Sequence, residues 1–359
     1  MSVFASKSFD DHEQVVFCND EDTGLRAIIA VHSTTLGPAV GGCRMWHYDS
    51  SDDALEDVLR LSRGMSYKNA LAGLNLGGGK SVIIGDSRTL KTPDLMRAFG
   101  RFVDRLGGTY ITAEDMGMTT DDMDYIHEST DYVTGLTEGK AASGDPSPFT
   151  AHGVFAGIQA AVEHKLGSND LKGVRVAIQG VGHVGQNLAR ELSEAGAEVI
   201  VTDVHEDNVR LVCESTGATS VPVDEIIMQN VDVFAPCAMG AILNDSSIDR
   251  LKASIIAGSA NNQLAEERHD QCLFERGILY APDFVINAGG MMSVANEIAG
   301  ISVSPEQGHV NVEVIGAMLS EIFTSSDNNG HATGAVANAL AEAKIKTAKN
   351  KDEASSQAA

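Results

Sequence analysis

The stretch Val174-Arg175-Val176-Ala177-Ile178-Gln179-Gly180-Val181-Gly182-His183-Val184-Gly185 decides how this chain is read. Val174 to Gln179 is a β-rich run, and the residues after it fit G-x-G-x-x-G. Alone, that glycine spacing is a weak signal. Here it ends a predicted strand, opens a predicted helix over Val184 to Ala195, and leads to a second strand, Glu198 to Thr202, that runs into the acid Asp203. This is the context a dinucleotide-binding turn requires. Gly180 permits the tight turn, Gly182 lets backbone reach a pyrophosphate, and Gly185 lets the helix pack close to the strand. Together with Val181, His183 and Val184 they put a helix N-terminus, with its positive dipole end, against the phosphates. Asp203 can accept hydrogen bonds from an adenosine ribose. No arginine follows it (Val204, His205), so a 2′-phosphate would meet an unpaired carboxylate, which favours NAD over NADP. Another cofactor of the same fold type, such as FAD, or glycines that serve only the turn remain alternatives on spacing alone.

Around this stretch the chain keeps a βα rhythm. Val231 to Ala235, Ser254 to Ala257 and Phe284 to Ile286 are further β-rich segments with helical spacing between most of them, which implies a parallel sheet. Upstream, Leu25 to His32 reads as a buried strand. Asp52 to Leu71 reads as a helix capped by Ser51 or Asp52, and Ser81 to Ile84 as a short strand. Thr92-Pro93-Asp94 starts a helix expected to reach Leu106, and Thr109 to Thr112 is the next strand. Between 139 and 148 glycine, serine and proline cluster, a hinge signal. The boundary is therefore placed there, giving domains 1–145 and 146–325. Thr150 is read as the cap of a helix to His164, and further helices are expected over Val312 to Phe323 and Thr333 to Thr347. A C-terminal helical region, 326–348, is expected to return to the first domain, and the polar tail 349–359 to be disordered.

Length and composition agree with this division. At ~150 residues per domain, 359 residues predict two domains. Acids outnumber bases 50 to 26, which argues against nucleic acid or anionic lipid as partners. No apolar run approaches a membrane span, and no basic-then-apolar leader opens the sequence, so a cytoplasmic location is expected. The five cysteines are scattered without a C-x-x-C pair and the histidines lack paired-ligand spacing, so no metal is expected.

A second group of residues surrounds another run of glycines. Lys68 lies near the end of the first predicted helix, and Lys80 follows Gly77-Gly78-Gly79, read as a turn. Desolvation and a nearby cation lower a lysine pKa and suit it to general-base work, while a second, charged lysine can hold a substrate carboxylate. Asp115 follows a predicted strand end, a common place for a catalytic group. A snorkelling Lys68, a surface Lys80 and a capping Asp115 would explain the same spacing.

The chain resembles the glutamate/leucine/phenylalanine/valine dehydrogenase family, and most closely its leucine-acting members. The resemblance runs in order through Thr35 to Gly42, Tyr67 to Ala70, Leu76 to Lys80, Thr112 to Gly117, Asp145 to Pro148, Ala235 to Ala238, Gly258 to Gln263 and Pro282 to Gly290. It implies an α/β protein of two domains. The N-terminal α/β domain carries substrate and oligomer contacts, a Rossmann-type domain carries NAD, and the active-site cleft lies between them. It further implies reversible oxidative deamination of an L-amino acid to a 2-oxo acid and ammonium. By family role Lys80 is catalytic, Asp115 relays protons, Lys68 binds the α-carboxylate and Asn262 helps hold the substrate. Thr150, Ala238, Asn261 and Asn287 position the nicotinamide end. The side-chain pocket maps onto Val40, Gly41, Met65, Ala113, Met291 and Val294. None of these can pair with a side-chain carboxylate, so a glutamate side chain would be desolvated without compensation. Branched aliphatic amino acids are favoured; phenylalanine is the alternative, because Gly41 and Ala113 leave room. A non-catalytic sensor of NAD or amino acids on this fold would not need both lysines and Asp115. The resemblance also implies a homo-oligomer, with an octamer as its expected form.

Overall fold

The computed structural model describes residues 2–136, 145–295, 298 and 311–357. The chain divides into two compact units, each described by itself. Among the described residues the first holds 2–136, 294, 295, 298 and 341–357, and the second holds 145–293 and 311–340. The hinge expected at 139–148 lies, as far as residue 144, outside the described residues.

The first unit is built on β1 (Gln14–Asp20), β2 (Leu25–Ser33), β3 (Ala39–Trp46), α1 (Ser51–Leu71), β4 (Gly77–Ile84), α2 (Pro93–Asp104), β5 (Tyr110–Glu114) and α3 (Thr120–His127). Its five-stranded sheet has the order β1-β2-β4-β3-β5. The pairs β1/β2 and β2/β4 are antiparallel, and β3/β4 and β3/β5 are parallel. Successive side chains point to opposite faces of a strand, and β2 shows the consequence. Ile28 and Ala30 pack with Leu55, Val58 and Leu59 of α1, whereas Ala27, Ile29 and Val31 join Met96, Phe99 and Val103 of α2 and Met123 and Ile126 of α3. Both faces are thus covered.

Three local expectations change in this unit. The cap of α1 is Ser50, whose side chain accepts from Asp53 N, rather than Ser51 or Asp52. β1 and β3 join the sheet at positions where no strand was expected. The glycine run Gly77 to Gly79 is not a turn but the first half of β4, in the middle of the sheet. These glycines are spacers. A Cβ on Gly78 would lie 2.1 Å from Ser66 N on α1, and one on Gly79 would lie 2.6 Å from the Tyr110 ring. Glycine is the one residue that lets α1 and β5 approach so closely.

The second unit contains α4 (Ser147–Leu166), β6 (Arg175–Gln179), α5 (His183–Glu194), β7 (Glu198–Thr202), α6 (Glu206–Thr216), β8 (Thr219–Ser220), β9 (Val233–Pro236), α7 (Asp245–Arg250), β10 (Ile255–Ile256), α8 (Arg268–Glu275), β11 (Leu279–Tyr280), α9 (Asp283–Ile286), α10 (Gly289–Ala295), α11 (Glu313–Asn329) and α12 (Thr333–Gln357). α10 ends, and α12 continues, in residues grouped with the first unit. The six strands are all parallel, in the order β11-β10-β9-β6-β7-β8. From β6 the chain winds outward through β7 and β8, then crosses to β9 and winds the other way. That makes β6/β9 the topological switch point, where open α/β sheets bind ligands beyond the carboxyl ends of their strands.

Here too the structure corrects the sequence reading. Phe284 to Ile286 is helical, in α9, and the last strand is β11 instead. Thr150 is not a cap: α4 begins at Ser147, and Thr150 Oγ1 donates to Pro146 O. The expected helix 326–348 is split, because α11 ends at Asn329 against a left-handed Gly330 and α12 starts at Thr333. Residues 349–357, expected to be disordered, continue α12. Their alanine, lysine and glutamate content favours helix once a preceding helix has nucleated it. Among the described residues no helix is long and apolar enough to cross a membrane.

Candidate active site

In the first unit, Lys80 lies on β4 between Gly78, which abuts α1, and Val82, which packs on α1. The strand period therefore puts Lys80 on the α1 side of the sheet. Its Nζ is 2.9 Å from Asp115 Oδ2, and the two side chains are 9% and 21% exposed. Asp115 follows β5, next to Gly42 of β3, where a Cβ would sit 2.7 Å from Asp115 Cβ. Burial raises the Asp115 pKa, but the charges of Lys80 and Arg44 outweigh it, so the carboxyl is held below its ordinary range. Lys68 is in the last turn of α1, half-buried. Val40 and Gly41 sit on β3, Ala113 on β5 and Met65 on α1, with Met65 Cγ 3.1 Å from where a Gly41 Cβ would be. Met291 and Val294 are half-buried on α10.

A polar core lies on the far side of β4. Tyr110 Oη donates to Gly41 O at 2.6 Å and meets Ser81 Oγ at 2.9 Å. On the α1 side of the strand, Asn69 Nδ2 donates to Gly77 O at 2.6 Å. Both bonds tie the glycine-containing strands to their neighbours. The sequence reading missed Arg44, whose Nε is 3.3 Å from Asp115 Oδ2. An arginine inside the apolar run Ala39 to Met45 was the available signal, and it went unread because β3 itself did.

In the second unit, Gly180 has φ +96°, a left-handed backbone that glycine adopts without strain, and a Cβ there would lie 2.6 Å from Ala238 Cβ. Gly185 packs on the same turn, its Cβ position 2.1 Å from Gly180 O, while among the described residues nothing lies within 4 Å of a Gly182 Cβ. His183 opens α5 and is exposed, Val184 is half-buried, and Gln186 Nε2 donates to Val181 O at 2.9 Å. Asp203 stands at the end of β7, its Oδ2 accepting from Val181 N at 2.7 Å and its Oδ1 from His205 N at 2.9 Å. The acid thus organises the glycine turn.

Across the switch point a second constellation forms. Asn287 Nδ2 donates to Asn261 Oδ1 at 2.7 Å and to Ser259 O at 3.2 Å. Asn262 is exposed and left-handed, φ +51°, and its carbonyl accepts from Ala241 N at 2.7 Å. Buried Gln263 holds this corner by donating to Gly258 O and Ala260 O. Thr150 lies against Gly290, whose Cβ would come within 2.6 Å of its Oγ1. Among the described residues, buried Asn287 Oδ1 has no hydrogen-bond partner. An acceptor left bare in this way, in the unit that carries the glycine turn, fits the carboxamide of a nicotinamide dinucleotide.

Parallel strands wound both ways from a glycine turn, in a chain whose other unit buries a lysine–carboxylate pair, define a two-unit α/β dehydrogenase that uses a nicotinamide cofactor. Comparison with known proteins refines the class. Residues 12–132 match the model of the Glu/Leu/Phe/Val dehydrogenase dimerisation domain, and residues 143–206 and 201–352 match that of Glutamate/Leucine/Phenylalanine/Valine dehydrogenase. The chain belongs to this family of amino-acid dehydrogenases. It is 51% identical over 345 residues to the leucine dehydrogenase of Bacillus subtilis (strain 168), covering 96% of this chain and 94% of that one. It is 47% identical to the phenylalanine dehydrogenase of Bacillus thermotolerans, over 95% of this chain and 90% of that one. Among solved structures, that of L-tryptophan dehydrogenase from Nostoc punctiforme superposes with a TM-score of 0.82 at 46% identity, covering 94% of this chain and 96% of that one.

Proposed function

We propose that the protein catalyses NAD-dependent, reversible oxidative deamination of branched-chain L-amino acids, leucine first and also valine and isoleucine, to the 2-oxo acid and ammonium. The observation that carries this reading is the buried Lys80–Asp115 pair, 2.9 Å apart, in a chain about half identical to a leucine dehydrogenase. Lys68 binds the α-carboxylate as a cation, and Asn262 helps hold the substrate. A nicotinamide cofactor held there would supply the acceptor for the Cα hydride. Asp115 takes a proton from the substrate nitrogen. On the resulting imine carbon, Lys80 activates water and stabilises the oxygen charge that develops. Asp115 then returns a proton to nitrogen; the C–N bond breaks as the carbinolamine oxygen forms the carbonyl, and the departing ammonia takes that oxygen's proton and leaves as ammonium. Thr150, Ala238, Asn261 and Asn287 position the nicotinamide end, and the glycine turn from Gly180 to Gly185 receives the pyrophosphate.

Leucine is favoured because Val40, Gly41, Met65, Ala113, Met291 and Val294 offer no partner for a charged side chain. An apolar pocket separates methylenes by only ~1–3 kcal/mol each, so valine and isoleucine react as well. Asp203 supports NAD, since a 2′-phosphate would face its carboxylate. The name of the matched dimerisation domain supports a homo-oligomer, and an octamer is its proposed form.

The test is the initial rate of NADH formation with L-leucine, L-valine, L-phenylalanine, L-tryptophan and L-glutamate, repeated with NADP. Leucine is expected to lead, glutamate to give no turnover, and NADP to be used poorly. Faster turnover of phenylalanine than leucine at saturation overturns the substrate assignment. Equal efficiency with NADP overturns the role of Asp203, and no turnover of any amino acid points to a sensor.

A further inference from the structure

Arg44 occupies an unusual place for a guanidinium. It stands on β3, and its side chain is only 14% exposed. Taking such a charge out of water is costly unless carboxylates and hydrogen bonds surround it. Two carboxylates do, from different elements. On α1, Asp57 Oδ2 accepts from Nη1 at 2.9 Å and from Tyr48 Oη at 2.8 Å, while Asp57 Oδ1 is 3.1 Å from Arg60 Nη2. On the other side Nε reaches Asp115 Oδ2 at 3.3 Å, the same oxygen that Lys80 Nζ approaches at 2.9 Å.

We propose that Arg44 is a positioning residue for the deamination: anchored by Asp57, it fixes the Asp115 carboxylate against Lys80 and keeps that carboxylate ionised. The inference rests on the roles given above to Lys80 and Asp115. A buried lysine and carboxylate by themselves can pass one proton between them and become a neutral pair. A guanidinium cannot, because it does not deprotonate in proteins. Its permanent charge on Oδ2 opposes protonation of that carboxylate and leaves Asp115 ready to accept from the substrate nitrogen. The other titratable groups near Asp115 are Cys43 on β3 and Tyr110 and Glu114 on β5. Burial raises all three. Cys43 and Tyr110 are therefore neutral across the assay range. For Glu114, burial and then the charge of Asp122 raise the carboxyl while Lys91 lowers it, so it needs its own control.

The experiment compares the pH dependence of kcat in the full-length enzyme and in Arg44→Gln, Arg44→Lys, Asp57→Asn and Glu114→Gln. Arg44→Gln is expected to lower kcat roughly 10- to 100-fold, with the KM for leucine little changed. Its acidic limb should move up by about one pH unit, since removing a cation makes the carboxyl easier to protonate. Arg44→Lys, the variant to use where Arg44→Gln does not fold, should recover part of the rate and most of the limb. Asp57→Asn should shift the limb the same way by less, and Glu114→Gln should not move it. An unmoved limb in Arg44→Gln and Asp57→Asn, with only thermal stability or KM affected, reduces Arg44 to a structural ion pair and overturns the proposal. A limb that follows Glu114 instead overturns it too. If the wild type deaminates nothing, it is the functional reading that fails. Infrared pH-difference spectra, with Asp115→Asn as reference, then read the Asp115 titration directly. A midpoint raised by Arg44→Gln supports the positioning role, and an unchanged one ends it.

Discussion

The two units arrange their functional groups in opposite ways. In the first, the chemistry sits on side chains inside the sheet: Lys80 is within β4 and Arg44 within β3, both largely buried. In the second, it sits beyond the strand ends, on backbone and amides, at the glycine turn and the Asn261–Asn287 corner. Glycine differs accordingly. Gly78 and Gly79 keep space for neighbouring elements to pack, whereas Gly182 keeps space that no atom of the described residues fills. A charge that must be held rigidly and dry belongs on a strand. A surface that must receive a large anion belongs at a helix N-terminus, with nothing in front of it.

The sharpest way to break this contrast is Lys80→Ala. Deamination should fall roughly 10²–10⁴-fold, while NADH binding, followed by its fluorescence, and the unfolding midpoint stay close to wild type. Undiminished turnover would remove the catalytic role from the first unit.

Two glycine variants come next. Gly78→Ala puts a methyl 2.1 Å from Ser66 N and should cost about 1–3 kcal/mol or more of stability. Trp46, the single tryptophan, lies in the first unit and reports that loss during denaturation. Gly182 has an ordinary φ of −70° and open space, so Gly182→Ala should leave stability within about 0.5 kcal/mol. It should instead weaken NADH binding roughly tenfold, about 1.4 kcal/mol. Equal effects of the two substitutions on stability would erase the distinction drawn here.

The smallest expected effect is a pH dependence confined to the first unit. His32 is half-buried, with its ring 4.9 Å from that of His12 and its Nε2 3.7 Å from Asp10. Burial, then the charge of His12, lowers its pKa to about 4, and burial lowers His12 as well. A histidine whose pKa is depressed by folding binds protons better when unfolded. Its contribution is therefore complete above the ordinary histidine range and is lost as pH falls from about 6.5 toward 4. Trp46-detected unfolding midpoints should drop by several degrees over that window, and His32→Gln should flatten the drop. A second unit that loses stability equally there would show that the effect is not local.

Legibility followed the same division. The second unit could be read because its site is local: a turn, a helix, a strand and an acid within 24 residues, Gly180 to Asp203. Its errors fell on short elements such as Phe284 to Ile286, where an apolar run of three carries no period. In the first unit the site is assembled from β3, β4, β5 and α1. Type and neighbourhood single out Lys80 and Asp115, but the glycine run beside Lys80 reads as a turn in the sequence and is strand in the fold. Nothing in Gly77-Gly78-Gly79 says that α1 and Tyr110 press on either side of it. Arg44 escaped because its partners, Asp57 and Asp115, lie on other elements.

By itself, then, the sequence determined the parallel dinucleotide unit, the presence of a second α/β unit and the identity of the charged residues. Each follows from short-range periodicity, turn chemistry and residue type. Only the tertiary structure decided that the glycine run is a strand, that Lys80 and Arg44 converge on one oxygen of Asp115, and that Asn287 holds an acceptor with no partner among the described residues. Those are facts of packing. They arise where elements distant in sequence exclude water from the same few ångströms, and a one-dimensional pattern does not carry that information.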